Sequence, residues 1–308
     1  MAPPRLVAVV GATATGKSAL AVAIAEAFGG EVVSADAYTL YRGLDIGTAK
    51  AGAAARRGVP HHLIDVADPD ERLTLAGYLD AAQAALADIW ARGCLPVLAG
   101  GSGQYVWALL EGWTVPRVPP DPALRAELAA LAATDGPEAL RRRLAAVDPE
   151  AAGRFDGHNR RRLIRAVEIV EASGLPLAAC QTRRPLDAAI LILGLRSPRE
   201  ALYARLDGRV EAMFRDGLVA EVAGLRAAGW TDAAPVRDGM GYREVSAYLD
   251  GEIGLETAVE RTKTAHHRLV RRQASWFKED DPRIEWLAAD AAAVPAAVGR
   301  VRAWLDAG

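Results

Sequence analysis

Val7-Ala8-Val9-Val10-Gly11-Ala12-Thr13-Ala14-Thr15-Gly16-Lys17-Ser18 is a short apolar run that breaks into glycine, then into lysine and a hydroxyl, ahead of the helix-forming Ala19-Leu20-Ala21-Val22-Ala23. It fits Gly-x4-Gly-Lys-Ser, a phosphate-binding loop between a buried strand and a helix. Gly11 and Gly16 permit a tight turn that brings backbone N–H groups up to oxygen atoms, and the helix N-terminus adds the positive end of its dipole. Lys17 supplies a point charge for a terminal phosphate. Ser18 supplies a hydroxyl for a magnesium ion travelling with a diphosphate or triphosphate. A plain glycine turn would account for the glycines but not for the lysine and serine beside them.

Outward from this loop, residues 6–10, 31–35, 62–66, 95–99 and 189–195 read as short buried strands, most of them followed by glycine, aspartate or serine. Helical patterns lie between them: residues 19–28 close at Gly29-Gly30 and residues 75–92 close at Gly93, each with a glycine C-cap. The alternation predicts an α/β protein with a parallel sheet covered by helices on both faces and ligands at the carboxyl ends of its strands. It stops at Val115-Pro116-Arg117-Val118-Pro119-Pro120-Asp121-Pro122, where four prolines in eight residues exclude regular helix and central strand. Residues 123–174 are only helical in pattern, and strand signal returns after Arg183-Arg184-Pro185. The expected organisation is a core over 1–115, a helical insertion over 116–186, and the rest of the core with basic helices over 187–308.

Ser197-Pro198-Arg199-Glu200 reads as a capping box opening a helix. On that helix Leu202, Leu206 and Met213 share a face with Arg209. A guanidinium in an apolar stripe either meets an anion or snorkels to the edge. Residues 290–308 read as a terminal helix.

The 308 residues are 51% hydrophobic, enough for one large domain or a core with a second lobe. No apolar segment is long enough to span a bilayer and no secretory pattern opens the chain, so a cytoplasmic protein without membrane contact is expected. Cys94 and Cys180 are expected as buried reduced thiols. Net charge is −2, but residues 261–278 hold six Lys or Arg and no acid, and Arg160, Arg161, Arg162 and Arg165 form a second basic cluster. Each is either a phosphate contact or a solvated helix face.

An ATPase built on this loop would close another core strand with an acidic residue. Here 95–99 runs instead into Gly100-Gly101-Ser102-Gly103, either a second close-approach loop suited to substrate backbone or more phosphate, or a plain turn. The carboxylate that does close a strand is Asp36, on the same rim as the phosphate loop, where it could be a general base or a turn cap. His61-His62 and His266-His267 are adjacent pairs whose side chains diverge, and with no Cys-x-x-Cys the chain is expected to bind no zinc.

Together these stretches resemble the tRNA dimethylallyltransferase family, isopentenyltransferases that prenylate an adenine beside the anticodon. The matching stretches are Gly11 to Ser18; Ser34-Ala35-Asp36 with Tyr41-Arg42-Gly43-Leu44-Asp45-Ile46-Gly47-Thr48-Ala49-Lys50; Pro60-His61-His62-Leu63-Ile64-Asp65; Gly100-Gly101-Ser102-Gly103; Asn159 to Glu168; Gly239-Met240-Gly241-Tyr242-Arg243; and Arg272-Gln273 with Trp276-Phe277.

The resemblance implies a phosphate-loop, kinase-like core with an inserted all-helical domain that contacts the tRNA anticodon stem-loop. It implies dimethylallyl diphosphate as donor, held by Gly11, Ala12, Thr13, Ala14, Thr15, Gly16, Lys17 and Ser18, with Mg2+ on Ser18. Asp36 is implied as the base, and Thr13 and Arg209 as stabilisers of the leaving diphosphate. Ser34, Ala35, Thr39, Tyr41, Gly101, Ser102, Gly103, Asn159, Arg160, Arg162, Arg165, Gly241, Tyr242, Arg243, Arg268, Arg272 and Gln273 are implied as tRNA contacts, and Arg161, Arg271 and Lys278 as further phosphate contacts. An adenine amine cannot be reached while stacked, so the base must be splayed from its loop.

Ala37 and Thr39 stand where the family usually has serine and glutamine, Ser102 where it has threonine, and His266-His267 where it often has Thr-Arg. The rival readings are a small-molecule kinase, which needs ATP turnover, and a nucleotide-switched RNA-binding module, which forms no product. One chain supplies every part of the implied site, so a monomer is expected.

Overall fold

The opening apolar run becomes the centre of a sheet because it is apolar at every position, which suits a strand covered on both faces. In the computed structural model, which describes residues 3–155 and 159–307, β1 (Arg5–Gly11) has Leu6 to Val10 fully buried. Around it lie β2 (Gly30–Ser34), β3 (His61–His62), β4 (Leu95–Ala99), β5 (Ala189–Arg196) and β6 (Ile284–Ala288), in the order β3-β2-β4-β1-β5-β6, all parallel. Val7 aligns with Val97 on one side and Leu191 on the other.

Val7, Val9, Val97 and Leu193 pack beneath Leu20 and Ile24 of helix Lys17–Phe28 and beneath Ala297 and Val301 of helix Ala293–Asp306. Ala21, Ala25 and Ala297 keep that face thin, so the helices approach the sheet closely. Each buried Val, Leu or Ile contributes about 1.5–3 kcal/mol to this face. Helix Lys17–Phe28 ends at Gly29, whose φ of 59° is the left-handed cap that glycine adopts without strain. The terminal helix read from the sequence therefore completes one face of the core.

Several expectations change. The strand expected over 62–66 is only His61–His62, because Leu63 and Asp65 turn the chain at φ 60° and 57°. A sixth strand, β6, extends the sheet beyond β5. The helix after β5 runs Arg199–Arg215, with Pro198 at its N-cap and no side-chain cap bond; the expected Ser197 capping box does not form. Cys94 and Cys180 are half-buried rather than buried. Residues 156–158, within the expected helical stretch, and Gly308 lie outside the described residues.

Two compact units divide the chain: Met1–Trp107 with Asp187–Gly308, and Ala108–Leu186. The second is helical, with Pro122–Thr134, Pro137–Val147, Pro149–Gly153, Arg160–Ser173 and Leu177–Cys180. Three of these helices start with proline, where its missing N–H costs nothing, and Asp121 and Asp148 cap two of them. Leu128, Leu140, Leu144, Leu163 and Val167 form its core. Glu168, 1% exposed, receives the Arg125 and Arg165 guanidinium groups and the Asp121 N–H. Burial would raise its carboxyl, but these donors outweigh it and hold it at about 2.

Candidate active site

Three loops leave the carboxyl ends of β2, β4 and β1, which are neighbours in the sheet. Asp36 follows β2, Gly100-Gly101-Ser102-Gly103 follows β4, and the Gly11–Ser18 loop follows β1. β4 separates β1 from β2, so Asp36 and the phosphate loop face each other across the Gly100–Gly103 loop rather than from adjacent strands. Backbone bonds tie the three together: Ala35 N–H donates to Ala99 O (2.8 Å), Gly100 N–H to Val9 O (3.2 Å) and Ser102 N–H to Ala35 O (3.2 Å).

Within the phosphate loop Gly11 has φ 133° and Gly16 has φ 92°. A Cβ on Gly11 would lie 2.5 Å from Leu195 O, so β5 demands glycine there. Ala12 and Ala14 pack on Leu202, Leu206 and Val270. The Thr15 hydroxyl and the Lys17 amine both donate to Ala12 O, at 2.8 and 2.6 Å. Burial pushes the Lys17 amine down to about 8, with Asp36 opposing and Arg209 adding to the fall. Ser18 is exposed in the first turn of the helix. Its hydroxyl is a hard oxygen of the kind that Mg2+ takes as ligand, and among the described residues no group of three His, Cys, Asp or Glu could hold a metal ion.

Asp36 forms the turn cap that was one of its two expected uses, and its placement leaves room for the other. Its Oδ1 accepts from the N–H groups of Tyr38 (2.9 Å) and Thr39 (3.4 Å), an Asx-type turn that fixes the carboxylate. The residue also lines a cavity of about 100 Å³ with Thr13, Ser102, Arg209, His266 and Gln273. Arg209 Nη1 approaches Thr13 Oγ1 at 3.4 Å. Burial pulls its guanidinium below the ordinary value and Asp36 offsets this in part. The apolar stripe on its helix is buried, with Leu202, Leu206, Val210 and Met213 facing inward. Arg209 and Met213 also line a second cavity of about 330 Å³ with Asp45, Ile46, Ala49, Lys50, Ala212 and Asp216.

The Gly100–Gly103 loop is glycine-rich for packing. A Cβ on Gly100 would lie 2.1 Å from Ala35 O, one on Gly101 2.3 Å from Gln273 Nε2, and one on Gly103 2.3 Å from Trp276. Gln273 is buried and spends its amide internally: Oε1 accepts from Thr13 N–H (2.8 Å) and Nε2 donates to Gly101 O (3.0 Å). It clamps the phosphate loop to the second loop. The Ser102 hydroxyl accepts from Ala37 N–H at 3.1 Å.

Glu221, which the sequence did not single out, organises the segment from Tyr41 to Lys50. Its carboxylate accepts from the N–H groups of Asp45 (3.1 Å), Ile46 (2.7 Å) and Gly47 (3.2 Å) and from the Tyr242 hydroxyl (2.7 Å). A Cβ on Gly47 would strike the Tyr242 ring at 2.5 Å. Burial, then Glu221, holds the Tyr242 phenol well above its usual range, so it remains a donor. Lys50, with its side chain 4% exposed, binds Tyr41 O, Asp45 and Asp65.

Of the residues implied as RNA contacts, Arg160, Arg162, Arg243, Arg268 and Arg272 are exposed, as are Arg161, Arg271 and Lys278. Others have internal work. Tyr41 and Tyr242 are buried in one cluster, and Gly241 turns at φ 85° to start helix Tyr242–Leu249. Ser34 and Thr39 bond each other at 3.0 Å, Ala35 is fully buried, and Asn159 caps helix Arg160–Ser173. Arg165 binds Glu168 and the carbonyls of Pro116 and Val118.

The sheet, the Gly-x4-Gly-Lys-Ser loop at the end of its central strand and the helical unit between β4 and β5 define an α/β protein of the phosphate-loop class. A family model described as IPP transferase matches residues 39–280, and the chain belongs to that family. A tRNA dimethylallyltransferase of Roseiflexus sp. (strain RS-1) is 48% identical over 98% of this chain and 99% of its own length. Another, from Roseiflexus castenholzii, is 50% identical over 93% of each chain. Among solved structures, a tRNA isopentenylpyrophosphate transferase from Bacillus halodurans matches with 36% identity and a TM-score of 0.72, covering 98% of this chain and 96% of that one. A eukaryotic dimethylallyltransferase acting on tRNA matches with 26% identity and a TM-score of 0.80, covering 97% of this chain and 77% of that one. No helix among the described residues is long and apolar enough to cross a membrane.

Proposed function

We propose that the chain transfers a dimethylallyl group from dimethylallyl diphosphate to the exocyclic amine of the adenine 3′-adjacent to the anticodon in tRNA. The observation that carries this reading is the pairing, in one small chamber, of the carboxylate of Asp36 with a cationic and hydroxyl pole made by Arg209 and Thr13, next to the Lys17 amine.

The amine nitrogen bonds to the allylic C1 as the C1–O bond breaks, the bonding pair leaves with diphosphate, and the amine proton passes to Asp36. Lys17, Arg209, Thr13 and the loop N–H groups receive the departing charge. Removing a preorganised donor of this kind costs about 3–4 kcal/mol of transition-state stabilisation. Mg2+, when bound through Ser18 and the diphosphate, would neutralise leaving-group charge. Exposed Arg160, Arg162, Arg268 and Arg272 hold the tRNA backbone, which makes binding fall steeply with salt. The enzyme acts as a cytoplasmic monomer, a reading supported by one chain furnishing every polar group of the chamber.

Incubation with Mg2+, unmodified tRNA and labelled dimethylallyl diphosphate, beside an ATP control, tests this. Label in the RNA without ATP consumption is the expected result. ATP turnover with no labelled RNA would transfer the site to a small-molecule kinase.

A further inference from the structure

The sequence set His266 aside as half of a pair unable to chelate, and the prenyl-transfer mechanism leaves it without a task. It lies on helix Leu255–Trp276, is 6% exposed, and lines the same 100 Å³ chamber as Asp36, Thr13 and Arg209.

Its Nδ1 lies 2.9 Å from the carbonyl of Thr262. A carbonyl can only accept, so Nδ1 carries the proton. Burial lowers the basicity of the ring more than the Thr262 bond raises it, and the Arg209 charge adds to the fall while Glu244 opposes it. The imidazole is therefore neutral, and Nε2 presents a lone pair with no hydrogen-bond partner among the described residues.

The chamber's other polar groups are mostly spent. The Gln273 amide is committed to Thr13 and Gly101, the Ser102 hydroxyl accepts from Ala37 N–H, the Tyr242 hydroxyl donates to Glu221, and the Thr48 hydroxyl donates to Leu44 O. Beyond the Arg209–Thr13 pole and the hydroxyls of Tyr38 and Ser102, which can turn to donate or accept, what faces the chamber is one carboxylate and one imidazole lone pair. Both are acceptors. An exocyclic amine offers two N–H donors, whereas a keto oxygen at the same place would confront two lone pairs.

We propose that His266 is a specificity-determining residue of the acceptor chamber: its Nε2 accepts a hydrogen bond from one proton of the adenine amine while Asp36 takes the other. The inference rests on the prenyl-transfer reading. A hydroxyl in its place could donate as well as accept, whereas the tautomer-locked histidine can only accept through Nε2.

The test uses two anticodon stem-loop RNAs that differ only in carrying adenine or amine-free purine at the acceptor position, with binding measured by competition in the absence of donor. Wild type should prefer the adenine RNA, and His266→Phe should shrink that preference about fivefold to tenfold, the worth of one hydrogen bond. Donor affinity should be unchanged, and His266→Thr, which restores an acceptor in less volume, should keep part of the preference. An adenine-to-purine ratio unchanged in both variants would overturn the proposal. Label transfer to the adenine RNA by wild type is followed in parallel: if none occurs, the prenyl-transfer reading falls and takes this inference with it. Normal transfer with an unchanged ratio removes His266 alone.

Discussion

Lys17→Met takes a poorly solvated charge out of the core unit. The Lys17 amine falls from its ordinary 10.5 to about 8, chiefly through burial, and at about 1.4 kcal/mol per tenfold this is a penalty of about 3 kcal/mol for keeping it charged in the folded chain. Methionine occupies similar volume, removes that penalty, and gives up the bond to Ala12 O, worth about 1 kcal/mol. The variant should therefore be about 2 kcal/mol more stable at pH 7. The pH dependence has a definite sign. Because the folded pKa is depressed, the folded protein sheds the proton near pH 8 while the unfolded chain keeps it up to about 10.5, so wild-type stability rises across that window and the advantage of the variant closes. Denaturant midpoints of both proteins at pH 7 and about pH 10 measure it. Binding of dimethylallyl diphosphate to the same variant should collapse, since the charge that destabilises the fold is the one that the proposed function sets against the diphosphate. A variant less stable at pH 7, or an advantage that persists undiminished at pH 10, would refute the reasoning.

Gly101→Ala should lower kcat about tenfold or more with the fold intact, because its Cβ displaces the Gln273 amide that holds Thr13 N–H; limited proteolysis and steady-state rates separate the two effects. Glu168→Gln should cost the Ala108–Leu186 unit about 3 kcal/mol at pH 7. Since the Glu168 carboxyl is held at about 2 against an ordinary 4.5, that stability is present above pH 4.5 and is lost as pH falls through about 2, so acid unfolding followed by hydrogen exchange in this unit should flatten in the variant. Glu221→Gln should reduce kcat more than it raises KM for tRNA, because an amide presents one oxygen to four donors and loosens the segment from Asp45 to Gly47.

The phosphate loop, Asp36 and the Arg209 stripe were legible because each is local: a motif, a strand end, a helical spacing. What was not legible depends on approaches between distant stretches. β6 escaped because Ile284–Ala288 is an edge strand with only Ile284 buried, so no apolar run marks it. Glu221 looks like any helical surface acid until folding brings Gly47 and Tyr242 to it. Gln273 is in a motif, yet whether its amide reads RNA or clamps two loops is decided by Gly101, more than 170 residues away in the chain. Arg165 belongs to a basic cluster in sequence but to Glu168 in space. Motifs marked where these residues lie in the fold better than what each one touches.

Asp36→Asn is the measurement closest to the centre of the account. Asparagine keeps the oxygen that accepts from Tyr38 and Thr39 and loses the negative charge, and with it the capacity to take a proton. Single-turnover transfer of labelled dimethylallyl groups to tRNA should fall by about 10²–10⁴-fold with donor and tRNA affinities unchanged. Transfer at the wild-type rate would show that the proton leaves by another route and that the carboxylate is only a turn cap.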